Sequence, residues 1–198
     1  GIPLLGAGLI FIITRKGTAE IGSIITFLIL GVDTFVVFQI YNNLKQGRIL
    51  ELKISTGLPF PLHFRADALG IFLSLIATSL WLLASLYSIE YLKHRKTLFN
   101  VFLLLSLYGM LGITLTGNLF SLLLFFEFFS VSSYVLVIHE GTPEARQAGF
   151  RYLFMSVVGS VCLLVATVVT YNIAGTINIS GLGIFAQKTS PDKKSRPI

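Results

Sequence analysis

The chain has 198 residues, of which 54% are hydrophobic and only 12% charged, with a formal net charge of +6. Soluble domains carry about 25% charged residues, so a water-facing globular surface is excluded, and the mean hydropathy of +0.83 and long apolar runs are those of a membrane protein. The positive charge is no nucleic-acid footprint, because the basic residues fall in short connectors such as Lys93-His94-Arg95-Lys96 and in the tail 188–196, where Lys and Arg flank membrane spans.

The first apolar run, residues 1–14, measures ~21 Å as a helix against a hydrocarbon core of ~30 Å. No basic residues precede it and no small-residue cleavage site follows, so it reads as a span with its start unrecorded rather than as a signal peptide. After Arg15-Lys16 a second span covers residues 21–41. The connector 42–65 carries Gly47, Gly57, Pro59 and Pro61. Partial alternation at 49–54 and the proline-extended stretch 58–64 predict a short β-hairpin on the membrane surface.

Asp67 opens a third span, to Tyr91, as a cap or first-turn acid. The basic cluster 93–96 leads to a fourth span at 98–116, and Gly117-Asn118 turns tightly into a fifth at 119–138. A connector at 139–146 holding Pro143 precedes a sixth span at 148–171. Beyond it, 172–187 is interrupted by Gly and Asn, and the last ten residues read as a disordered basic tail. The chain therefore divides into a transmembrane bundle, 1–179, and a polar basic tail, 180–198.

The fold class is all-α: a polytopic transmembrane helix bundle of about six spans with a short surface β-hairpin between spans two and three. Backbone groups cannot stay unpaired in lipid, which demands helices or a closed barrel, and unbroken apolar runs of about twenty residues exclude the barrel. The chain is expected in the cell membrane as a multi-pass protein in contact with lipid. Charges close to the span ends favour a cytoplasmic side for the connectors after spans one, three and five.

Within the stretch LLLFFEFFS, Glu127 lies near the bilayer centre. A central acid costs about 2.5–3.5 kcal/mol on insertion scales, so Glu127 must face protein or water. Ser130 at i+3 and Tyr134 at i+7 share its side of the helix and extend a polar stripe fit to relay protons. A cation moved near a buried carboxyl changes its proton affinity, which couples the two. The alternative is a permanent packing contact. Asp33, midway along the second span, is a second candidate, open between function and packing. His139 could relay protons at the mouth of the fifth span, or simply sit at the interface. Arg151 either snorkels outward or turns inward to bias Glu127. The hydroxyl-bearing stripe Ser74, Thr78, Ser85 and Ser88 reads as close helix packing, as do Ser156, Gly159 and Ser160. Cys162 reads as a small core residue.

No phosphate loop, metal-ligand cluster or nucleophile–base pair is present, so no cofactor or metal is expected to be bound by this chain and no redox chemistry is assigned to it. Asp67-Ala-Leu-Gly70, Leu86-Tyr-Ser-Ile-Glu-Tyr91, Gly117-Asn118, the run from Phe126 to Leu136, and the run from Glu144 to Leu153 followed by Gly159-Ser160 occur in order. In that order and spacing the chain resembles the antiporter-like subunits. These comprise the proton-pumping subunits of respiratory complex I, the Mrp-type sodium/proton antiporters, and the corresponding subunits of membrane-bound hydrogenases. The resemblance covers residues 2–179. It implies that Glu127 matches an ion-translocating acid paired with a Lys on a broken seventh helix, and that the hairpin lies on the external side.

The chain departs from that pattern, since no Lys falls inside a predicted span and 180–198 stands where the seventh helix would begin. The expected function is a partial or split antiporter-like subunit contributing to proton or sodium translocation inside a larger complex. Other integral membrane subunits would be its partners, one supplying the lysine-bearing helices. Any catalytic activity would be that of an ion-translocating oxidoreductase to which it belongs. A non-transporting subunit that braces or seals the membrane arm is the alternative, and a stand-alone small transporter is disfavoured because the repeat is incomplete.

Overall fold

The computed structural model describes residues 1–14, 19–45, 50–54, 60–92 and 95–179. The elements run α1 (Ile2–Thr14), α2 (Ala19–Lys45), β1 (Leu50–Ile54), β2 (Leu62–Ala66), α3 (Ala68–Tyr91), α4 (Lys96–Thr114), α5 (Leu119–Val137) and α6 (Pro143–Ala174). Five of these helices are long and apolar enough to cross a membrane, and α1 is a shorter apolar helix. The basic connectors 15–16 and 93–94 and the tail 180–198 lie outside the described residues.

Local chemistry sets the helix ends. Asp67 caps α3, its carboxylate accepting from the Gly70 amide at 2.7 Å, and Asn118 caps α5 in the same way from Ser121. The last span starts earlier than its apolar run suggests, at Pro143 rather than near 148. Thr142 accepts from the Ala145 amide, Pro143 occupies the first turn and Glu144 complements the helix dipole there. That capping sequence recruits a polar stretch into the helix, so Glu144 and Arg146 are helical. Gly141, at φ +72°, supplies the left-handed turn ahead of it.

The centre of the bundle is α4, which packs against α1, α2, α3 and α5, while α6 leans on α5. Helix contacts are close. A Cβ on Gly109 would stand 2.9 Å from the Phe129 Cα, and Gly112 lies directly against the Phe125 ring. Small residues and buried hydroxyls join the helices where an apolar surface alone gives no preference for protein over lipid. Ser74 shares a 2.7 Å hydrogen bond with Thr114, Asn100 donates to Ser23, and the Trp81 indole donates to Ser106. The α3 stripe of Ser74, Thr78, Ser85 and Ser88 is buried throughout. Ser160 is buried too, whereas Cys162 is exposed on α6 rather than in the core.

The hairpin pairs β1 with β2 antiparallel, Glu51 opposite Arg65 and Lys53 opposite His63. It does not hang free. The Gly117 amide donates to the His63 carbonyl at 2.7 Å and the Arg65 amide to Leu115 at 2.8 Å, fastening β2 to the α4–α5 turn. Residues after α6 fold back onto the same turn, with the Leu119 amide donating to Ile177 and the Ile179 amide to Gly117. Part of the Gly- and Asn-interrupted stretch that follows the last span is thus bridged to the α4–α5 turn, Asn178 opposite Asn118.

Candidate functional site

Glu127 sits midway along α5, a helix of 19 residues, and its side chain is exposed on the bundle's outer surface. Its neighbours on that face, Leu124, Phe128 and Val131, are 37%, 37% and 55% exposed. No hydrogen bond or ion pair of its carboxylate occurs among the described residues. An acid at this depth is costly against hydrocarbon, so this face requires a polar cover that the described residues do not provide.

Ser130 and Tyr134 follow different paths from there. Three residues on, Ser130 lies about 60° around the helix from Glu127, which is enough to bury it inside the bundle at 3% exposure. Tyr134 is half-buried, and its ring edge would stand 3.1 Å from a Cβ on Gly149, so it fills the α5–α6 contact. The predicted stripe therefore runs from the outer surface inward rather than along one exposed edge. Arg151 is exposed on α6 and makes no ion pair with Glu127 among the described residues. Gly149 faces Tyr134 and Gly159 faces Phe126. This antiparallel register puts Arg151 and Glu127 roughly 10 Å apart along the helix axes.

Asp33 is 4% exposed, and one of its carboxylate oxygens, Oδ2, has no hydrogen-bond partner. It lines a cavity of about 390 Å³ between α1, α2, the hairpin, α4 and α5, whose walls include Val37, Phe64, Tyr108 and Phe125. His139 lies just past the α5 cap at the opposite end of the bundle from the hairpin. Its ring stands edge-on to Phe99 at 5.3 Å, and its Nδ1 is buried without a partner. The structure thus brings Glu127, Ser130 and Tyr134 onto one helix and keeps Asp33 and His139 at separate places.

Sequence reasoning passed over a charged group on the hairpin. Glu51 lies 3.8 Å from the His63 Nε2 and 3.7 Å from the Arg65 Nε, with His63 buried under Gly117. The signal was available in the strand register, which sets Glu51 directly across from Arg65. No group of three or more His, Cys, Asp or Glu that could hold a metal occurs among the described residues.

The family described as NADH:quinone oxidoreductase/Mrp antiporter, TM matches residues 116–194, the segment that holds α5, Glu127 and α6. Over that segment the chain is similar to antiporter-like membrane proteins. A putative antiporter subunit mnhA2 of Staphylococcus saprophyticus is 32% identical over 154 residues, 74% of this chain and 19% of its own length. A Na(+)/H(+) antiporter subunit of Alkalihalophilus pseudofirmus is 26% identical over 172 residues, 85% of this chain and 33% of that protein. In fold, the chain superimposes on a chain of the membrane-bound sulfane sulfur reductase, an archaeal respiratory membrane complex, with a TM-score of 0.80. That match covers 90% of this chain and 37% of the other at 21% identity. The chain spans about a fifth to a third of the length of these curated relatives.

Proposed function

We propose that this chain is one part of an antiporter-like membrane complex and lends it Glu127 as an acid that protons or sodium ions pass. The observation that carries the reading is the exposed carboxylate at mid-membrane depth, flanked by Leu124, Phe128 and Val131. A neighbouring helix with a cationic side chain, a lysine by family resemblance, covers this face. A cation that approaches a carboxylate favours its charged form and one that withdraws ceases to, so movement of that neighbour would couple to ion movement at this site. Ser130 and Tyr134 continue the polar path inward, and His139 and Arg151 act nearer the surface. The chain binds no cofactor of its own, and any redox step belongs to other subunits.

Support for membership in a complex comes from the relatives, which are named as antiporter subunits. The competing role, a subunit that only braces the membrane arm, draws on the well-buried hydroxyl contacts of α3 and α4. Glu127→Gln in the assembled complex separates the two. Ion flux in membrane vesicles should fall at least tenfold with assembly intact. Unchanged flux contradicts the transport role, and loss of assembly assigns Glu127 to packing.

A further inference from the structure

At the end of the bundle away from the hairpin, a cavity of about 600 Å³ opens between the α3–α4 and α5–α6 connections. Its polar wall includes Arg95, Arg146, His139 and Thr142, with Glu140 as the acid among them. Both arginines are exposed, and the buried Nδ1 of His139 has no partner. Arg95 is the residue other than glycine that holds a left-handed backbone among those described, at φ 51°, a conformation that structures keep where the surroundings impose it.

This cavity is not isolated. Tyr91, Leu92, His139 and Glu140 also line a second cleft of about 310 Å³, which descends between α3 and α5. Its walls are Ala84, Tyr87 and Ser88 of α3, Phe99 of α4, and Leu136 and Val137 of α5. Tyr87 and Tyr91 continue into a third hollow, lined by Leu83, Leu86 and one acid, Glu90, on the outer face of α3. A cationic head chamber at the end of the spans therefore runs into an apolar groove along them.

We propose that this cleft binds an anionic phospholipid. Its phosphate occupies the chamber of Arg95 and Arg146, and an acyl chain lies in the groove between α3 and α5. Guanidinium groups match phosphate oxygens in geometry and charge. Basic residues at span ends also attract anionic headgroups. The groove begins at the chamber and follows the direction of an acyl chain, which a free phosphate ion has no use for.

The test is native mass spectrometry of the purified full chain in detergent, titrated with phosphatidylglycerol, phosphatidylcholine or inorganic phosphate. Phosphatidylglycerol should be retained in preference to the other two. The double variant Arg95→Gln/Arg146→Gln should weaken its binding roughly thirtyfold, and Arg95→Lys/Arg146→Lys, which keeps the charge but not the guanidinium fork, should restore only part of it. Val137→Trp, which narrows the groove, should weaken phosphatidylglycerol further while leaving helix content unchanged. Equal retention of the two lipids overturns the headgroup assignment. Inorganic phosphate bound as tightly as the lipid assigns the chamber to a free anion and overturns the lipid. Failure of the intact complex to retain phosphatidylglycerol there gives the cleft to a partner helix.

Discussion

Phe125 and Glu127 stand two residues apart on α5 and face opposite ways. Phe125 is 7% exposed and closes on Gly112 of α4, whereas Glu127 looks out from the bundle. The first contact fixes how α5 is rotated, and that rotation sets the acid on an uncovered face. Packing on one side of the helix thus decides the chemistry offered on the other.

Gly112→Ala tests that coupling. Its methyl group would enter the Phe125 ring, which is itself held edge-on by Phe64 and Tyr108 at 5.4 and 5.7 Å. Overpacking of this kind costs about 1–3 kcal/mol. Thermal unfolding in detergent should show the loss, and ion flux should fall as α5 turns. Wild-type stability in this variant contradicts the fixed rotation.

Asp33 presents a buried oxygen without a hydrogen-bond partner in a largely apolar cavity. An unsatisfied buried polar group costs about 1–3 kcal/mol. Asp33→Leu removes that cost and fills part of the cavity, so it should raise the unfolding midpoint. A lowered midpoint would show that the carboxylate is hydrogen-bonded and stabilising.

Gly117 touches the buried ring of His63, from which a Cβ would stand 2.6 Å at Nδ1 and 2.8 Å at Cγ. The backbone bond between the same two residues keeps that ring from swinging clear. Gly117→Ala should therefore lift the hairpin, and hydrogen exchange should speed up at the Arg65 amide, which donates to Leu115. Unchanged exchange at that amide contradicts the clamp.

Much of this fold was legible in residue order. The apolar runs mark the spans, Asp67 marks the start of α3, and the Gly and Pro of 47–61 mark the hairpin. The hydroxyl stripe of α3 announces a packed face. Rotation of α5 was not legible, because, Glu127 apart, Leu122 to Phe129 is apolar all round and carries no period to separate inside from outside. Nor was the early start of α6, where a cap overrides hydropathy. The return of residues 177–179 to the 117–119 turn is a pairing between distant segments that no local pattern encodes. For the candidate site, the sequence located Glu127 by its cost in lipid, but only tertiary packing separates it from buried Ser130.

The central claim is that Glu127 faces a polar protein interface in the assembled complex. Glu127→Cys in a Cys162→Ser background, which removes the exposed native thiol, tests it most directly. In the intact complex, residue 127 should react with a small water-soluble thiol reagent and cross-link to a neighbouring membrane subunit. Reaction with lipid-dissolved reagents alone, and no cross-link, would place the acid against hydrocarbon and contradict the account.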